Sequence, residues 1–204
     1  MRTKLIPFAL LSALVLVTGG CGVAEQGESG SLVRITALEG ASGAKPDTFS
    51  GTLLSDVITV VQVNQKDVAT TFNDNGRVTM GLTLKDMGAP GSTATPGPLN
   101  SVTFTHYRVQ FRRTDGRNVQ GVDVPYSFDS GLTFTVPADG TATAVFEIVR
   151  HSAKDEAPLR ALRISGLIST IADVTFYGMD GGGKDVLVNG SIGIDFGDFA
   201  DPTS

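Results

Sequence analysis

Asp185-Val186-Leu187-Val188-Asn189-Gly190-Ser191-Ile192-Gly193-Ile194-Asp195-Phe196 decides the fold class. Val186, Val188, Gly190, Ile192, Ile194 and Phe196 share one phase of a period-two pattern. Successive side chains of a strand point to opposite faces, so this run presents one apolar face to a core. The same alternation recurs upstream in Val78, Met80, Leu82 and Leu84, in Val122, Val124, Tyr126 and Phe128, in Leu132, Phe134 and Val136, and in Ala142, Ala144, Phe146 and Ile148. Enrichment in Val and Thr agrees with strand.

Two segments depart from simple alternation. In 101–112, Val102 and Phe104 lie in one phase and Tyr107, Val109 and Phe111 in the other. A phase change at Thr105-His106 predicts a bulge or a strand that changes sheets. In 57–63 (VITVVQV) both faces are apolar, which predicts a central strand covered on both sides. Turn formers separate the runs: Asn73-Asp74-Asn75-Gly76, with a hairpin-type Asn-Gly pair, then Thr114-Asp115-Gly116, Ala138-Asp139-Gly140 and Gly181-Gly182-Gly183-Lys184. Glu39–Gly51 and Asp86–Asn100 read as long loops. Ser152–Leu162 has a capping Ser152 and early acidic residues, but Pro158 limits any helix to a turn or two. No βαβ rhythm or heptad occurs. The pattern predicts an all-β, antiparallel sandwich of about eight or nine strands with at most one short helix.

Composition bounds the rest. The 204 residues are 41% hydrophobic and 18% charged, enough apolar material for one core. One Cys excludes a disulfide framework. Sixteen basic against 21 acidic residues argue against a nucleic-acid partner.

The N-terminus reads as an address. Arg2 and Lys4 precede a short apolar stretch, Leu5–Val17, and Thr18, Gly19 and Gly20 lead to Cys21. The apolar stretch is too short for a membrane-spanning helix. The arrangement resembles the lipobox of bacterial lipoproteins, with Thr18 where that family usually has Leu. The resemblance implies a signal peptide at 1–20 and acylation (palmitate among the chains) of Cys21 as the first mature residue. Gly22 in place of Asp implies the outer membrane rather than inner-membrane retention. Several acyl chains anchor stably, because each buried methylene contributes about 0.8 kcal/mol. Loss of Arg2 and Lys4 from the 16 basic residues leaves 14 against 21 acidic, a formal charge of −7, so the lipid alone must hold the body to the membrane. Residues 21–31 read as the lipidated Cys and a flexible tether, and 32–204 as a single domain.

Val174-Thr175-Phe176-Tyr177-Gly178-Met179-Asp180, a glycine turn, then Asp185–Ile192 resembles the closing hairpin of bacterial immunoglobulin-like domains. The resemblance implies an immunoglobulin-like scaffold in a lipid-anchored envelope protein; such scaffolds share architecture, not function.

Reactive chemistry is sparse. His106 and His151 are the only imidazoles, with no Gly-x-Ser-x-Gly motif and no His-x-x-x-His spacing. Both read as structural or surface residues. Arg108, Arg112, Arg113 and Arg117 form the one basic concentration; they are candidates for forked contacts to an anionic ligand, or a solvated strand face that blocks edge pairing. Asp195, Asp198 and Asp201 are weak calcium candidates, against a plain role in turn geometry. Asn189-Gly190-Ser191 matches a glycosylation acceptor pattern that carries no expected meaning in a bacterial lipoprotein. No cofactor is implied. The expected function is a non-catalytic binding or structural module on a lipid anchor in the bacterial cell envelope, with a protein or glycan partner. The alternative is an envelope-polymer enzyme using paired carboxylates such as Asp123, Asp173 or Glu147.

Overall fold

The computed structural model describes residues 29–85 and 97–199. The expected signal peptide, Cys21, most of the expected tether, most of the second expected loop and Asp201 lie outside the described residues.

Ten strands form: β1 (Ser31–Ala41), β2 (Thr52–Asp56), β3 (Thr59–Val63), β4 (Lys66–Thr70), β5 (Asp74–Leu84), β6 (Val102–Arg112), β7 (Phe128–Val136), β8 (Thr141–Val149), β9 (Leu167–Asp180) and β10 (Asp185–Gly197). They make a three-stranded sheet, β1-β5-β8, a five-stranded sheet, β2-β10-β9-β6-β7, and a separate ribbon, β3-β4. The two larger sheets face each other across one core. The all-β sandwich expectation holds, with ten strands instead of eight or nine. One pairing is parallel, β2 beside β10, where only antiparallel pairs were expected.

The alternating runs fold as read. Val78 and Met80 on β5, and Ile194 and Phe196 on β10, are fully buried. β9 and β10 pair from Asp185↔Met179 to Gly197↔Leu167, around a turn with Gly183 at φ +81°. The phase change in β6 is a bulge: register shifts between Phe104 and His106 against both β7 and β9. Val102, Phe104, Tyr107, Val109 and Phe111 are all buried as a result.

Aromatic rings fill the space between the sheets. Phe146 of β8 packs edge-on against Tyr107 of β6 and Phe176 of β9, with centroids 4.9 and 5.3 Å away. Gly76 on β5 leaves room for the Phe146 ring, which a Cβ there would strike. The Tyr107 hydroxyl donates to the Glu147 carbonyl of the opposite sheet at 2.8 Å. Burial pushes this phenol's pKa up.

Four expectations are overturned. VITVVQV is not a covered central strand. It runs from buried Val57 into β3, which pairs only with β4, and Val60, Val63 and Val68 are 38–48% exposed. Asn75-Gly76 is not a hairpin turn but part of β5, opposite Phe146 and Glu147; the hairpin turn is at Asn64-Gln65, both at positive φ. Val122–Ser127 is a loop, and only Phe128 of that run joins β7. Ser152 caps nothing: a single helical turn, α1 (His151–Lys154), begins after Arg150, and a 3-10 turn, Leu159–Arg163, follows beyond Pro158. Two boundaries also move. Ser29 and Ser31 are already buried, so the packed body starts before residue 32; and Glu39–Ala41 belong to β1, which shortens the first loop.

Candidate functional site

The four arginines do not converge on a ligand. Arg108 and Arg112 share the outer face of β6, as their spacing predicts. Arg108 pairs with Asp129 of β7 at 3.4 Å, and Arg112 with Asp173 of β9 at 2.6 Å. Arg113 and Arg117 both grip Asp115, at 2.6 and 2.8 Å. Three carboxylates therefore occupy the four guanidinium forks. Hydrogen bonds from Arg113 and Arg117 hold the Asp115 carboxyl well below the usual carboxylate range.

The clamp on Asp115 does something else: it fixes the loop that follows β6. The Arg113 N–H donates to the Asn118 side chain at 2.6 Å, and the Arg117 N–H to Asp115 at 3.1 Å. The Val119 N–H donates to the Asp123 carboxylate, while the Asp123 N–H returns to the Val119 carbonyl. The Ser127 N–H donates to the Gln120 side chain at 3.1 Å. Gly116 and Gly121 take positive φ at the two bends. Tyr126 lies over Gly121, where a Cβ would overlap its ring. Val124, fully buried, anchors the loop to the core.

This tied loop holds large apolar side chains out to water. Val119 is 60% exposed, Val122 66% and Tyr126 58%. A hollow of about 150 Å³ opens beside Tyr126, walled by Phe128, Arg150 and Glu156. The Arg150 guanidinium lies 4.0 Å over the Phe128 ring. Sequence reading placed Val122, Val124 and Tyr126 on the inward face of a strand and so missed the site. The signal against a strand was present: Gly121 and Pro125 interrupt the run, and Pro cannot donate to a ladder.

The other sequence candidates fall apart in space. Asp195 lies on β10 between Leu54 and Ser169, and Asp198 is exposed beyond the strand end. Among the described residues no group of three or more His, Cys, Asp or Glu is placed to hold a metal ion. Asp180 acts in turn geometry: burial opposes its ionisation, but N–H groups of Lys184 and Gly182 and the Ser29 hydroxyl outweigh that and lower its pKa. Asp123 is spent on the loop. Asp173 takes Arg112 and Ser191, and Glu147 pairs with Arg150. Asp173 and Glu147 face outward from different sheets, so these carboxylates do not form the close pair that glycoside hydrolysis uses. His151 binds Asn73 through its Nδ1 and its N–H. Asn189-Gly190 lies mid-strand, with Gly190 packed under Ile35 and Leu38.

Comparison with known proteins adds no relative: no family model, no curated protein and no solved structure matches this chain.

Proposed function

We propose that this protein is a lipid-anchored module of the bacterial cell envelope that captures a protein partner through the 113–127 loop, without catalysis. The anchor reading rests on the signal-like N-terminus and Cys21. The immunoglobulin-like affiliation rests on the 174–192 hairpin. One observation carries the binding reading: Val119, Val122 and Tyr126 stand in solvent on a loop already tied by its own polar groups. Exposed apolar clusters on soluble surfaces mark contact sites. A loop fixed before binding loses little conformational entropy when a partner arrives. Tyr126, with an apolar ring and a polar tip beside a hollow, has the character of an interface anchor.

The test is cross-linking in intact source cells followed by capture. The chain is compared with Cys21→Ala and with a Val119→Ser/Val122→Ser/Tyr126→Ser variant. A partner captured by the native chain, lost by the loop variant and depleted by Cys21→Ala supports both halves of the reading. A partner that the loop variant retains overturns the assignment of the loop. Unchanged membrane fractionation of Cys21→Ala overturns the anchor.

A further inference from the structure

The five-stranded sheet carries a second surface, far from the loop in chemistry as well as in its residues. At the bulge of β6 two consecutive residues, Thr105 and His106, both point outward. A bulge re-aims side chains, and here it sets a hydroxyl and a ring side by side. The His106 ring stacks face to face on Tyr177 of β9, centroids 4.5 Å apart and planes 1° from parallel. Thr105 Oγ1 lies 3.2 Å from His106 Nδ1, a contact that orients the imidazole. On the side away from Tyr177, His106 is paired with Gly131 of β7, which has no side chain to cover the imidazole and nothing within 4 Å of an added Cβ. An open concavity of about 700 Å³ lies over this pair, within the size range of small-ligand sites. Thr103, Thr105 and Asp185 are among its polar lining, and Met179 and Leu187 among its apolar lining.

We infer that this concavity is a binding site for a neutral oligosaccharide. The lining fits that chemistry on three counts. The flat His106 ring, backed by Tyr177, suits the C–H face of a pyranose. The threonine hydroxyls and the Asp185 carboxylate accept hydrogen bonds from sugar hydroxyls. Among the described residues no Lys or Arg lines the concavity, and Asp185 does, so the lining disfavours phosphorylated or uronic-acid polymers. The site is preformed by strand register, since His106↔Tyr177 and Tyr177↔Leu187 are direct cross-strand pairs. It shares no residue with the 113–127 loop, so it stands or falls independently of the protein-capture reading.

The test is titration of the isotopically labelled chain with cellotetraose, maltotetraose and tetra-N-acetylchitotetraose, followed by amide and side-chain shifts. At least one sugar shifts residues of 103–106 and 177–187 at millimolar concentration, a range that corresponds to about −4 kcal/mol of binding. Tyr177→Ala weakens that binding at least ~5-fold, as loss of a stacking ring implies. Should Tyr177→Ala perturb the sheet, Asp185→Asn, at an exposed strand end, serves as the second variant and weakens binding with the native spectrum retained elsewhere. Absence of shifts with all three sugars at about 10 mM overturns the proposal. So do shifts centred on any other surface, or binding unchanged in both variants.

Discussion

Asp74 and Lys154 meet in a place where neither is expected. Asp74 is fully buried and Lys154 is 1% exposed, with Nζ 2.8 Å from the carboxylate. The Ser55 hydroxyl and the Gly43 N–H also donate to Asp74, at 2.6 and 2.9 Å. One carboxylate thus gathers β2, β5, α1 and the loop after β1. Burial pushes its pKa up, against the pull of Lys154. Such a pair adds little over a well-packed apolar substitute, but breaking it strands a buried charge. Lys154→Met therefore costs about 3–5 kcal/mol, read from urea unfolding. Adding Asp74→Leu recovers only part of that, because the Ser55 hydroxyl and the Gly43 N–H then lose their acceptor. Full recovery in the double variant would show that those two donors find other acceptors. The sequence hid this centre. Asp74 sits in Asn-Asp-Asn-Gly, where turn chemistry explains every letter, and its partner lies 80 positions away.

Elements were legible where one face is buried and the other wet. β5 and β10 announce themselves by alternation, and the β6 bulge by its change of phase. β1 and β2 were not marked, since β1 does not alternate cleanly between buried and exposed positions and β2 has only five residues. The 57–63 run reads apolar on both faces, yet beyond Thr59 no residue of β3 is buried, because periodicity reports side-chain phase, not what lies opposite. The β3-β4 turn takes Asn64 at φ +52° and Gln65 at φ +61°. That is the two-residue hairpin geometry that favours Asn-Gly, and left-handed backbone at a non-glycine residue costs about 1 kcal/mol. Gln65→Gly accordingly slows amide exchange across β3 and β4, by about fivefold for a 1 kcal/mol gain. Equal or faster exchange would mean that the ribbon opens without unmaking its turn. The 113–127 loop failed for the opposite reason: the alternation of Val122, Val124 and Tyr126 is real, but Gly121 and Pro125 break the run, and Val122 and Tyr126 are left in solvent.

At the scale of the molecule, the two sheets are held by apolar packing and by hydroxyls that cross between them, Ser55 to Asp74 and Tyr107 to Glu147. Tyr107 donates to the Glu147 carbonyl from within the Phe146–Phe176 cluster. Tyr107→Phe keeps the ring and removes the bond, at a cost of about 1–2 kcal/mol. Tyr107→Ala opens a cavity between the sheets and costs about 3–5 kcal/mol. Both fall in the denaturant midpoint with an unchanged slope if the sandwich unfolds as one unit; a second transition would show that the sheets separate. The order of assembly follows from the parallel pair. β2 is complete once residue 56 has been made, yet its one neighbour within the sheet is β10, and Phe199 reaches back to Asp56 across 143 positions. Until the chain past residue 185 arrives, β2 and β9 keep open edges that invite the wrong pairing. The sheet is therefore completed only by its last strand, and a break within 185–197 unseats a strand more than a hundred residues earlier: the far end of this molecule is the latch for its beginning.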